Sequence, residues 1–152
     1  MKQRTGAGTY LLTMSFSVIV WSASTILLCK KLALTGVIDL VTLNWCITAM
    51  GMAFAALFYP MSASRLRDLN FPSWSIKIFS FPLITLIILP LLCFLSGPRW
   101  ENDYGEQAPK SGTGKTLLAL SAFGVAVPSL YYALIIYYGT RYLLAHTFSS
   151  PI

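Results

Sequence analysis

The chain is 152 residues long, 56% hydrophobic and only 11% charged, with a mean hydropathy of +0.67. A soluble domain carries about 25% charged residues to cover its surface, so this composition excludes an ordinary cytosolic enzyme, a disordered tail and a disulfide-rich secreted module. The formal charge of +6 comes from 11 Lys and Arg against 5 Asp and Glu. The bases sit in small groups between apolar runs: Lys2 and Arg4, Lys30 and Lys31, Arg65 and Arg67, then Lys77. That is the pattern of anchors at lipid headgroups and not of a nucleic-acid face, so no direct nucleic-acid contact is expected.

A helix rises 1.5 Å per residue and needs about 20 residues to cross ~30 Å of hydrocarbon. Four uncharged stretches have that length: 9–29, closed by Lys30; 40–59, closed by Pro60; 78–97, closed by Pro98 and Arg99; and 116–140, closed by Arg141. Unpaired backbone groups are costly in lipid, so such runs become helices; none has the strict alternation of a barrel strand. The expected fold is all-α, a four-helix polytopic integral membrane protein with no soluble domain. It forms a single transmembrane domain over 1–152, with a connection at 60–77, a hydrated loop at 98–115 and a tail at 141–152. The first run also has the features of a signal peptide, with Lys2 and Arg4 as its basic start and Ser22-Ala23-Ser24 as a cleavage site. Its apolar stretch continues to Cys29, which favours a retained span.

With the N-terminus inside, Lys2, Arg4, Arg65, Arg67, Lys77 and Arg141 face the cytoplasm, and Lys30, Lys31, Arg99, Lys110 and Lys115 face outward. Six against five decides little under the positive-inside rule. The character of the loops adds to it: 65–77 is basic with only Asp68 opposing, whereas 99–115 carries Glu101, Asp103 and Glu106. The expectation is a multi-pass inner-membrane protein with both termini in the cytoplasm.

In the first run Thr13, Ser17 and Ser24 share one stripe, with Ser15 and Ser22 beside it; in the second, Asn44, Thr48, Gly51 and Ala55 recur at i, i+4, i+7 and i+11. Small and hydroxylated residues let backbones approach and hydrogen-bond in lipid, so these seven stripe residues read as helix-packing contacts, within the subunit or between copies. Their sharper reading is a pore lining. Asp39 opens the second helix, where a carboxylate suits the positive end of the helix dipole; the alternative for it is a proton or cation site. Pro82 and Pro90 in the third run and Pro128 in the fourth each remove a backbone donor, and each predicts a kink.

The fourth run ends in Tyr131, Tyr132, Tyr137, Tyr138 and Tyr142, an aromatic belt at headgroup level or a docking surface. The segment Phe71-Pro72-Ser73-Trp74, flanked by Arg65, Arg67 and Lys77, also reads as interfacial. Arg65, Arg67, Trp74, Lys77, Tyr138, Arg141 and Tyr142 are therefore the candidates for docking a partner.

Several motifs tempt. Ser111-Gly112-Thr113-Gly114-Lys115-Thr116 looks like the end of a phosphate-binding loop, but the full pattern requires Gly where Pro109 stands; a flexible loop with Thr116 as helix N-cap accounts for it. Cys29, Cys46 and Cys93 include no C-x-x-C pair and read as small apolar fillers. His146 is the only histidine, too few for haem ligation within the spans or for a Cys/His metal site. No catalytic residues, metal or cofactor are expected.

In its layout of four spans, short loops and an aromatic cytoplasmic end, the chain resembles the membrane subunit of the Kiwa anti-phage defence system. It is also similar in plan to the colicin-type immunity proteins. The first resemblance implies sensing of phage attack at the inner membrane and a cytoplasmic partner; the second implies binding of a pore-forming toxin within the bilayer. No functional residue carries over from either. The leading expectation is a non-enzymatic membrane sensor or scaffold subunit, homo-oligomeric, that engages a cytoplasmic protein. An oligomeric channel or small transporter and a toxin-immunity protein are the alternatives.

Overall fold

A computed structural model of the protein describes residues 5–80, 88, 91–95, 97, 102–104 and 112–147. Pro82, Pro90, half of the 78–97 run, most of the 98–115 loop and the end of the tail lie outside the described residues. Within them the fold is helical with no strand. Helix α1 spans Ala7–Leu27 and continues as a π-helical turn over Leu28–Ala33; α2 spans Leu40–Asp68, a 3-10 segment follows at Ser73–Ser80, and α3 spans Thr113–Thr147. Among the described residues three helices are long and apolar enough to cross a membrane: Ala7–Ala33, Leu40–Asp68 and Thr113–His146. Their apolar side chains stand largely exposed, Phe16, Trp45, Met52, Leu117 and Tyr131 among them. Water would penalise such a surface and lipid solvates it. The chain is an all-α membrane protein.

The helix ends follow local signals. After the π turn, Gly36 adopts φ +76°, and Gly36 and Val37 donate to the carbonyls of Ala33 and Leu32 at 3.1 and 2.9 Å. That is the left-handed cap that only glycine takes without strain. Asp39 then caps α2, its Oδ1 accepting from the Thr42 backbone N–H at 2.9 Å. The expected place of Asp39 in the first turn of α2 is thus filled by an N-cap. The Thr42 hydroxyl and the Thr42 N–H hold the carboxyl below its ordinary 3.8. A depressed carboxyl contributes stability above its unfolded pKa and loses it as the pH falls through the folded value. Asp39→Asn, which keeps a capping side chain, is therefore expected to narrow its gap to the wild type as the pH drops from 6 to below about 3.8. Thermal melts in detergent across that range check this.

Several element boundaries differ from the sequence reading, and the last helix runs past Arg141 to Thr147, into the expected tail. Helix α2 runs through Pro60 to Asp68, where a stop at Tyr59 was expected. Proline lacks one donor and crowds one turn, and here Pro60 sits exposed in a helix long enough to absorb it. The true stop is Asn70 at φ 61°: Asn70 N donates to Arg67 O at 3.1 Å and Phe71 N to Leu66 O at 2.9 Å, with Pro72 following. This is the paired-bond C-cap in which Asn substitutes for Gly. Helix α3 starts at Thr113, and Thr116 lies inside it, its N–H bonded to Gly112 O at 3.1 Å. Pro128 is exposed within the same continuous helix.

The fold divides into two compact units, one of Met1–Met14 with Ala56–Phe123, the other of Ser15–Ala55 with Gly124–Ile152. The second has a small apolar core of Cys29, Ala33 and Leu43, with Leu28, Ile38, Ile47, Ile136, Tyr137 and Leu144 packed on it. The first buries Tyr10, Leu11, Met14, Phe58, Leu66 and Leu92 together with a set of polar groups.

Candidate functional site

In the first unit the last turns of α2 bury Ser62, Ser64, Arg65 and Asp68. Phe58, Ser62 and Arg65 fall at i, i+4 and i+7, so one helix face carries them inward. Arg65 is 0% exposed, and its guanidinium fork reaches three separate stretches of chain. Nε donates to Leu92 O at 2.9 Å, Nη1 to Thr5 O at 3.3 Å and to the Asp68 carboxylate, and Nη2 to Leu95 O. An arginine removed from water needs both charge pairing and hydrogen-bonded donors, and each nitrogen of this one donates at least once. Around it Tyr10 and Ser62 share a hydrogen bond at 2.8 Å, and Thr5 donates to Ser64 at 2.9 Å. Asn102 donates to the carbonyl of Arg67 at 2.9 Å and accepts from Tyr104 N at 3.0 Å. Gly97 lies so close to Asp68 that an added Cβ would stand 2.6 Å from its carboxylate oxygen and 2.8 Å from its backbone oxygen. Lys115 donates to Thr9 Oγ1 at 2.8 Å.

The candidate docking residues of this unit separate. Arg65 is consumed by the knot and offers nothing to a partner; Arg67 is half-buried; Trp74 and Lys77 are exposed, Trp74 at 65%. Phe71 stands exposed beside them. Sequence reasoning placed Arg65 outward because a base after an apolar run ordinarily marks the headgroup level. The signals for the knot were the i, i+3 spacing of Arg65 and Asp68 and the two serines on the same face.

In the second unit Tyr137 donates to Asn44 Oδ1 at 3.0 Å, and Thr48 Oγ1 returns to Asn44 O at 2.8 Å. Val41, Asn44, Trp45 and Thr48 line an open groove of about 430 Å³, with Trp45 70% exposed. Gly51 and Ala55 are half-buried farther along α2. On α1, Thr13 bonds back to Thr9 O at 2.9 Å, and Ser17 and Ser24 are half-buried. The fully buried polar residues of α1 are Ser15, Ser22 and Thr25. Thr13 belongs to the first unit, the other stripe residues to the second. On α3, Lys30 reaches the Tyr132 hydroxyl at 2.8 Å with its ammonium 5.2 Å from the ring centroid, and Thr140 hydrogen-bonds the Cys29 thiol. Tyr138, Arg141 and Tyr142 are exposed.

A pattern that the sequence reading passed over runs along α3. Ala119, Ala126, Ala133 and Thr140 recur every seven residues and are its buried positions, each at most 3% exposed. A seven-residue repeat of small side chains keeps one narrow face toward a neighbouring helix and lets the backbones approach.

Among the described residues no group of three His, Cys, Asp or Glu is placed to hold a metal ion. Many of the described polar side chains cap helices, bond back to carbonyls or tie segments together. The sequence model of one protein family, described as a protein of unknown function (DUF805), matches residues 1–106. No curated protein and no solved structure matches the chain.

Proposed function

This chain belongs to the DUF805 family, whose function is unknown, and from that premise we propose that it is a non-enzymatic subunit of a cell inner membrane. It acts as a scaffold or sensor, self-associates through its helices and engages a protein partner at the cytoplasmic surface. The observation that carries this reading is the pairing of a buried knot with an exposed surface next to it. Arg65 binds the N-terminal segment, the end of α2 and residues 92 and 95 together. The Asn70 cap and Pro72 then fix the chain's exit, so Phe71, Trp74 and Lys77 project from a pinned segment. Aromatic and basic side chains held in place at low entropic cost are the composition of a binding hot spot.

Two features support packing over a conducting pore for the hydroxyl stripes. Asn44 spends its carbonyl on Tyr137, and Thr13 and Thr48 satisfy themselves on their own helix. The groove at Val41, Trp45 and Thr48 offers an apolar face for a second copy.

Co-purification in mild detergent with mass measurement tests the proposal. The wild-type chain is expected to be recovered as a multimer with a second protein bound, and Trp74→Ala with Lys77→Glu should release that protein at least tenfold while leaving the multimer intact. A monomer without company, or a bound protein indifferent to both substitutions, defeats it.

A further inference from the structure

We propose that the polypeptide crosses the membrane three times, so that residues 69–112 begin and end on the face of the N-terminus and the C-terminal tail emerges on the other. The first unit alone supplies the argument. The start of α1 meets the end of α2 through Thr5 to Ser64 at 2.9 Å and Tyr10 to Ser62 at 2.8 Å. The start of α3 meets the start of α1 through Lys115 to Thr9 at 2.8 Å. Helices α1 and α3 thus set out from the face at which α2 arrives. The connection between α2 and α3 returns to that neighbourhood at four described points: Leu92 and Leu95 accept from Arg65, Gly97 abuts Asp68, and Asn102 is bonded to Arg67 O. It therefore makes no net crossing.

From that face α3 has 34 apolar-rich residues, Thr113–His146, where about 20 suffice to cross, so it delivers the tail to the far side. The second unit, taken by itself, agrees. There the end of α1, the start of α2 and the later half of α3 share one core: Cys29 and Ala33, Leu43, and Ile136, Tyr137 and Leu144.

The distribution of charge supplies an independent check. With three crossings the N-terminal face holds Lys2, Arg4, Arg65, Arg67, Lys77, Arg99, Lys110 and Lys115, and the far face holds Lys30, Lys31 and Arg141. The even split of the four-crossing arrangement becomes eight against three. The positive-inside rule now assigns the N-terminus and the 69–112 connection to the cytoplasm and the tail to the outside. The four-crossing expectation put Asp103 outside and Tyr142 inside; three crossings exchange them. Trp74 and Tyr142 then lie on opposite sides of the bilayer.

The topology stands or falls without reference to any partner. Single cysteines at Trp74, Asp103 and Tyr142, each in the full chain with Cys29, Cys46 and Cys93 replaced by Ala, are treated with a membrane-impermeant maleimide on intact and on permeabilised cells. The expected result is labelling of Tyr142→Cys on intact cells, with Trp74→Cys and Asp103→Cys labelled at least tenfold more after permeabilisation. Any pattern in which Trp74 and Asp103 differ, or Tyr142 matches them, overturns the proposal. A C-terminal alkaline phosphatase fusion to the otherwise wild-type chain reads the same question should the cysteine-free chain fail to fold. Activity supports three crossings, and an inactive fusion recovered intact overturns them.

Discussion

Arg65→Ala is expected to destabilise the folded protein by ~3–5 kcal/mol, the range for removing one partner of a buried ion pair. The loss has two parts. The Asp68 carboxylate, 3% exposed, is left without its guanidinium, and the carbonyls of Thr5, Leu92 and Leu95 lose a donor. Buried acceptors stripped of donors cost ~1–3 kcal/mol each where water cannot replace them. Arg65→Lys is expected to fall between the two, because an ammonium keeps the charge but lacks the planar fork that reaches several acceptors at once. The double substitution of Arg65 by Met and Asp68 by Leu should recover part of the loss, since it removes both members of the buried ion pair together. Gly97→Ala acts on the same contact from the other side, forcing a methyl into the Asp68 backbone oxygen. Unfolding in detergent, followed by helicity and by the monodisperse fraction on size exclusion, measures all four. A wild-type melt for Arg65→Ala would show that the knot contributes nothing.

Ala133→Leu is expected to cost ~1–3 kcal/mol through overpacking, and Ala126→Leu a similar amount. Both residues lie in the seven-residue seam of α3, at 0% and 3% exposure. In lipid no hydrophobic gain rewards the larger side chain, because the tails outside are as apolar as the interior, and close backbone approach is what holds helices together. Ser121→Leu, on the exposed face of the same helix, should stay within about 0.5 kcal/mol. The contrast between these substitutions, measured by the same melts, separates a packing seam from a helix that merely floats beside its neighbours. Equal effects at positions 121 and 133 would discard the seam.

Local signals proved readable where the chemistry is local. Asp39 caps α2 because an Asp before an apolar run has only a few bonds on offer, and the Thr42 N–H is one of them. The stop at Asn70 was equally local, yet Pro60 masked it, because the usual penalty for proline in a helix suggested an earlier end. The inward stripe of α1 was visible as a cluster of serines and threonines; which of them face inward was not. Ser15, Ser22 and Thr25 are buried where Ser17 and Ser24 are half-buried, since neighbouring hydroxyls differ only by the rotation of the helix, which other helices impose. The site around Arg65 was hidden for the same reason. Its acceptors lie 27, 30 and 60 residues away in the chain, and carbonyl oxygens leave no mark in a sequence.

The sequence by itself determined the medium and the elements: bilayer-length apolar runs, bases at their ends and too few charges to face water. These are sums over neighbouring residues, and lipid acts on each run separately by forcing its backbone to pair internally. Only the tertiary structure decided which base is an anchor and which is a buried tie, and which small residues of α3 form its seam. It also decided that the starts of α1 and α3 sit together. Each of those is a meeting of segments distant in the chain, settled by where a guanidinium can saturate its donors and where two backbones can come close.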